Sequence, residues 1–497
     1  MSVGSWMAFA KTLVFAVVAF TICSHVVAAK EMLTYRLESF AIRLDPASIS
    51  DTQSRRVADM LHAKLVSMDT DRIISAELAE EWHWMSPNIL RVKLRDGYTF
   101  SNGQKVISTD VIYSLCRLVQ PGVPYGWLFE NLKHTFAADR TSVMCGGLRE
   151  IDPSTLEIEV TGDSGRLLPA LASTMAAIIP NGSVPGGYGV TPGAGPYEIS
   201  SILANSRIVL KSRPGGPIPP RASQIVFQLV QDDALAATMF KNGRLDAIEI
   251  SNPTLYKLLI GSDGKLRSVG QLFGKSTDQI RLLIFNKIAI ARSLGVNSES
   301  VEAWIQAYKE SIDNQGLAKR FSPLAIPIGT SYFPGKDVAT RAHFQGAIPQ
   351  ANGHLTIIGE NDPYSDSIAS ALPHRLGRVD LKYIGVDKAV LISRLIGKEY
   401  EVASITLEAM LADPAYWLAF FQPGSPFNVF GTPIDGLRIN QARDHAEDRH
   451  NARLIDEQGN WYILFQERRF LALRPSIIGA SFLATGLPNY ARLGEGR

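Results

Sequence analysis

The sequence predicts an α/β protein of two or three domains, with mixed or parallel sheets and helices packed against them. The first reason is length: 497 residues are too many for one hydrophobic core. The second is alternation of polarity at period two, as in 155–160 and 379–384, which a strand with one buried face requires. The third is the order of elements, since strand patterns take turns with segments whose apolar residues recur three and four apart. Hydrophobic residues make up 46% and charged residues 20%, ordinary values for a soluble globular chain. A net charge of +2 without any lysine- or arginine-rich block gives no reason to expect nucleic acid as a partner.

The first 29 residues stand apart. Lys11 precedes an apolar run from Leu13 to Cys23, then Val27-Ala28-Ala29 places small residues before a cut at Lys30. This is the pattern of a cleaved secretory signal peptide, 1–29. The other reading is an uncleaved anchor, because 12–29 almost reaches the length that spans a bilayer. Ile22 before Cys23 is too large for a lipoprotein signal. After cleavage Cys116 and Cys145 are the only thiols. In an exported chain they form either a disulfide or two buried thiols, and export favours the disulfide.

Residues 33–37 read as the first strand, and 52–65 as a helix with Val57, Met60, Leu61 and Leu65 on one face. The stretch 78–119 is one connected unit. In it Leu90, Val92 and Leu94 line one strand face and Arg91, Lys93 and Arg95 the other. Asp96-Gly97 and Asn102-Gly103 turn the chain. Ser108 is placed to cap a helix carrying Val111, Ile112, Leu115 and Leu118. A strand over 155–160 and a helix over 167–177 follow. Next come Gly193-Ala194-Gly195-Pro196-Tyr197, where the glycines suit a tight turn or close backbone approach. Strands over 207–210 and 225–230 and a helix over 233–241 complete this part. Farther on, strands over 281–286, 354–358 and 379–384 alternate with helices over 365–372 and 389–396. The apolar run 461–481 is expected to return to the first lobe.

The 78–119 unit resembles the family 5 extracellular solute-binding proteins, the dipeptide, oligopeptide and nickel receptors of ABC importers. Leu78, Ala79, Glu80, Trp82, Leu94, Arg95, Gly97, Phe100, Asn102, Gly103, Ser108, Asp110, Val111 and Ser114 match that family's pattern in order. Further matches are 193–199, 242–247 and 281–286; beyond Asn286 the likeness fades. The resemblance implies a two-lobed periplasmic-binding-protein fold, type II and cluster C-like, with an extra subdomain and a hinge cleft. It divides the chain into a first lobe (30–50, 151–265 and 465–497), its subdomain (51–150) and a second lobe (266–464).

The segment 411–418 resembles the family's D-x-x-D/E-P-x-x-F/W-L stretch, whose first aspartate pairs with a peptide's α-ammonium in peptide-binding members. Here Asp413 and Pro414 are present, but three positions earlier stands Met410, and the nearest acidic residue is Glu408. Asp413, Tyr416, Trp417, Phe427 and Asn428 are the expected cleft residues, aromatic walls with an amide for backbone groups; Glu408 is the expected substitute anion. Trp417 and Phe420 equally fit a core helix.

No G-x-S-x-G elbow, H-E-x-x-H helix or phosphate loop occurs. His445 and His450 are five apart, off the spacing that places two ligands on one helical face. The expectation is therefore a non-enzymatic periplasmic receptor without cofactor or metal. It would capture a peptide or peptide-like solute for a permease and its ATPase. A non-peptide cargo (metal chelate, opine or sugar derivative) or a transport-deficient sensor are the alternatives, and a secreted hydrolase is disfavoured.

Overall fold

A computed structural model of the chain describes residues 32–326, 350–408 and 460–496, apart from 41, 50, 122, 124, 125, 138–142 and 163, together with residues 436, 450 and 454. One large sheet runs through it. In its first half, Met32–Leu37 lies parallel to both Gln224–Leu229 and Ala247–Ile250. Arg207–Ser212 and Tyr197–Leu203 extend this half antiparallel to its edge. In its second half, Asn352–Glu360 lies parallel to Arg378–Val386 and to Val402–Glu408. Two long antiparallel strands, Gln271–Phe285 and Trp461–Leu473, cross from one half to the other.

The crossing strands are apolar at both ends and polar in the middle, Gln466-Glu467-Arg468-Arg469. Their register shifts between Ser276 and Ile280, so Thr277, Asp278 and Gln279 form a bulge at that level. Side chains replace the lost ladder bonds there. Thr277 Oγ1 donates to Glu467 O at 3.0 Å, and Gln466 Nε2 donates to Thr277 O at 2.8 Å.

The subdomain is a separate antiparallel sheet of Ala79–Ser86, Ile89–Leu94, Thr155–Glu159 and Leu148–Asp152. Leu90, Val92 and Leu94 are buried and pack in one cluster with Val111, Leu115 and Leu118 of helix Ser108–Leu118. On the other face Arg91 Nη2 donates to Glu157 Oε1 at 2.6 Å and Lys93 meets Glu80 at 2.8 Å. Because Thr155–Glu159 joins this sheet, the small sheet continues past residue 150. Helix Thr52–Leu61 puts Val57, Met60 and Leu61 into the core of the first lobe instead.

Ser108 does not cap its helix. Its hydroxyl donates across to Glu150 Oε1 at 2.9 Å and to Asp152 O at 2.8 Å. The cap position is Ile107, whose N–H is taken by Asp110 Oδ2 at 2.9 Å. Tertiary hydrogen bonds have outcompeted the local cap. The expected helix over 167–177 is likewise broken, into Leu167–Leu171 and a 3-10 turn Thr174–Ala176.

Cys116 and Cys145 are joined by a disulfide, with Cα atoms 5.8 Å apart and a separation of 29 in sequence. Replacing both cysteines by alanine is expected to lower stability by roughly 2–4 kcal/mol, the usual cost of freeing a loop of this size. Guanidinium midpoints of the native and double-alanine chains measure it. Equal midpoints would show that the bridge contributes nothing.

His62, at the end of the first helix, is buried and neutral. Burial lowers its pKa to about 4, against smaller opposing contributions that include Asp45 and Asp59. Between pH 6.5 and 4 the unfolded chain therefore takes up a proton that the folded chain refuses. Stability from this site is fully present above pH 6.5 and is lost as pH falls toward 4, by about 3 kcal/mol in all. Glu77 nearby, raised by burial, titrates with the opposite sign. The contribution is accordingly read from His62→Gln, which should lose less stability between pH 7 and pH 4.5 than the native chain does. Parallel pH profiles would refute it.

Candidate functional site: the floor between the lobes

The parallel strands of both halves point the same chemical end inward. Ile250 pairs with Phe470 and Glu408 with Gln279, so the carboxyl ends of Ala247–Ile250 and Val402–Glu408 both abut the middle of the crossing strands. Met32–Leu37, Asn352–Glu360 and Arg378–Val386 run in the same directions as their partners. In α/β sheets the crevice beyond the carboxyl ends is where ligands sit, and here two such edges face one another across the crossing strands.

The floor of this crevice is a chain of alternating charges. Arg56, from helix Thr52–Leu61, is hydrogen-bonded to Glu249, and Arg469 of the crossing strand binds the other oxygen of the same carboxylate. Two positions along, Glu467 Oε1 accepts from Arg281 Nη2 and from Thr406 Oγ1, both at 3.3 Å. Arg281 also donates through Nη1 to Ser365 Oγ at 3.3 Å. Its guanidinium lies 5.2 Å from the ring centre of Tyr364. Arg56, Glu249, Arg281, Glu467 and Ser365 are all buried. Burial alone would raise the Glu249 carboxyl, but Arg56 and Arg469 outweigh it and hold it below the usual carboxylate range. Asp362 shapes the second-lobe side by accepting from the N–H groups of Tyr364 and Ser365 and from Ser365 Oγ.

Asp413, Tyr416, Trp417, Phe427 and Asn428 lie outside the described residues. Glu408 ends its strand opposite Gln279, at floor level; nothing is described of its side chain. Sequence reasoning missed Arg56, Glu249, Arg281, Glu467 and Arg469. The available signal was four consecutive polar residues, 466–469, inside an otherwise apolar strand. Among the described residues no group of three or more His, Cys, Asp or Glu is placed to hold a metal ion. Among them too, no helix is long and apolar enough to cross a membrane.

Two lobes on one sheet, crossed by paired strands and carrying a small subdomain, make a two-lobed α/β fold. Residues 74–288 match the family model described as bacterial extracellular solute-binding proteins, family 5 Middle. The periplasmic oligopeptide-binding protein OppA of Escherichia coli K12 is 23% identical over 246 residues, 46% of this chain and 44% of that protein. The sequence match thus spans less than half the length of this relative. By structure, OppA of Burkholderia pseudomallei superposes with a TM-score of 0.77 at 17% identity, covering 95% of this chain and all of that one. NikZ of Campylobacter jejuni in complex with Ni(L-His) superposes with a TM-score of 0.74 at 16% identity, over 94% of this chain and all of that one. Over residues 74–288 the chain is thus similar to the family 5 extracellular solute-binding proteins, and its fold is theirs.

Proposed function

We propose that this protein is a periplasmic receptor that captures a peptide or peptide-like solute between its lobes and delivers it to an ABC permease and its ATPase. The observation that carries the reading is the crevice itself. Carboxyl-end strand edges from two lobes meet over a polar, buried floor on the only strands in the described sheet that cross between them. Hinge closure around a solute follows from that layout. The relatives support it, since OppA is by name a periplasmic oligopeptide-binding protein. The floor charges are arranged as ion pairs and no nucleophile–base pair is part of them, so on this reading the solute leaves unchanged. Periplasmic residence goes with this reading, as does removal of residues 1–29.

A second reading has one specific support. NikZ, with the same fold, holds a nickel–histidine chelate, so the cargo of this chain is alternatively a small chelate. Native mass spectrometry of the protein purified from the periplasm, with the co-purified solute identified, separates the two. A free peptide is expected. A metal chelate would transfer the assignment to the second reading, and a protein that neither carries nor gains thermal stability from any member of a peptide library would refute the first.

A further inference from the structure

Four buried donors of the floor have no hydrogen-bond partner among the described residues: Arg56 Nε, Arg281 Nε, Arg469 Nε and the Tyr364 hydroxyl. The two on the second-lobe side lie together, with the Arg281 guanidinium against the Tyr364 ring. Tyr364 is 8% and Arg281 6% exposed, so neither group is compensated by bulk water. The bonds that Arg281 does make are long, 3.3 Å to Ser365 Oγ and 3.3 Å to Glu467 Oε1. Its charge is shared loosely, and a better-placed acceptor would tighten it. Burial, and after it Glu467, keeps the Tyr364 phenol above its ordinary pKa, so it remains an O–H donor at any physiological pH.

We propose that Arg281 and Tyr364 form a specificity subsite for a carboxylate of the solute, on the second-lobe side of the cleft floor. The assignment rests on the solute-receptor reading and adds what that reading leaves open, the chemical group the floor selects. A carboxylate takes the Tyr364 hydroxyl and the edge of the Arg281 guanidinium together, whereas an amide at the same place brings N–H groups against buried donors. Glu467 and Ser365 position Arg281 and do not themselves meet the solute. The carboxylate comes either from a peptide C-terminus or from an acidic side chain.

Calorimetric titration of the ligand-stripped full chain with trialanine, trialanine amide and Ala-Glu-Ala amide tests this, repeated on Tyr364→Phe. The native chain should bind a carboxylate-bearing peptide about tenfold or more tighter than the neutral amide. Tyr364→Phe should cut that ratio to about threefold or less while the chain stays folded by circular dichroism. Preference for trialanine identifies a C-terminus as the source, and preference for Ala-Glu-Ala amide identifies a side chain. Equal binding of all three, or an unchanged ratio in Tyr364→Phe, overturns the subsite and leaves the receptor reading intact. Failure to bind any of the three counts against peptide cargo. The subsite is then decided by propionate against propionamide in thermal shift. Stabilisation by propionate alone, lost in Tyr364→Phe, upholds it, and equal response overturns it.

Discussion

Glu249→Ala is expected to destabilise the protein by about 3–5 kcal/mol, because it removes a carboxylate held between two largely buried guanidinium groups. Glu249 and Arg56 side chains are each 2% exposed and Arg469 is 12% exposed. Neither arginine can be neutralised, so both would stay charged in a site that water reaches only at the Arg469 side. The loss comes mainly from stranded charge and only secondarily from the bonds removed. Two further variants separate these contributions. Glu249→Gln keeps shape and one acceptor and should lose less than Glu249→Ala. Replacing Arg56 and Arg469 by Met together with Glu249→Leu should recover most of the stability lost by Glu249→Ala, since a whole buried ion group is often replaceable by apolar residues of similar volume. Urea midpoints with their slopes report all three. A Glu249→Ala chain within about 1 kcal/mol of the native one would mean that the floor is hydrated enough to solvate both arginines.

The contrast between what was readable and what was not follows the range of the interactions. The 78–119 unit was legible because its determinants are local. Leu90, Val92 and Leu94 alternate with charges, and Gly97 and Gly103 sit at φ +87° and +84°, where side chains are strained. Ser108 was misread because a capping serine and one bonded to Glu150, 42 positions away, look alike in sequence. The floor was illegible for the same reason at longer range. Arg56 finds Glu249 across 193 positions, Glu249 finds Arg469 across 220, and Arg281 finds Glu467 across 186. A charge inside a strand reads as a solvent-facing residue until its partner is placed. The fold class needed only periodicity and element order, which survive uncertain pairing; the site needed the pairing itself.

Gly193→Ala is expected to destabilise the protein by about 3 kcal/mol or more, or to prevent soluble folding. The reason is contact between main chains. A Cβ on Gly193 would stand 1.9 Å from the Leu61 carbonyl oxygen and 2.9 Å from His62 Nδ1. Two residues on, Gly195 N–H donates to that same Leu61 oxygen at 2.9 Å, and Arg213 Nη1 donates to Gly195 O at 2.9 Å. The loop is thus bonded down onto the end of helix Thr52–Leu61 and cannot lift to admit a methyl group without giving up those bonds. Since that helix also carries Arg56 into the cleft floor, the displaced loop would disturb the floor as well as the core. Gly146→Ala is the matched comparison. A Cβ there meets nothing within 4 Å and its φ is not in the left-handed range, so its effect should stay within about 0.5 kcal/mol. Thermal melts and soluble yield of the two variants, prepared side by side, test the difference. If Gly193→Ala melted with Gly146→Ala, the loop would have to be free to move off the helix end. The stretch Gly193–Gly195 would then need another explanation than close backbone approach.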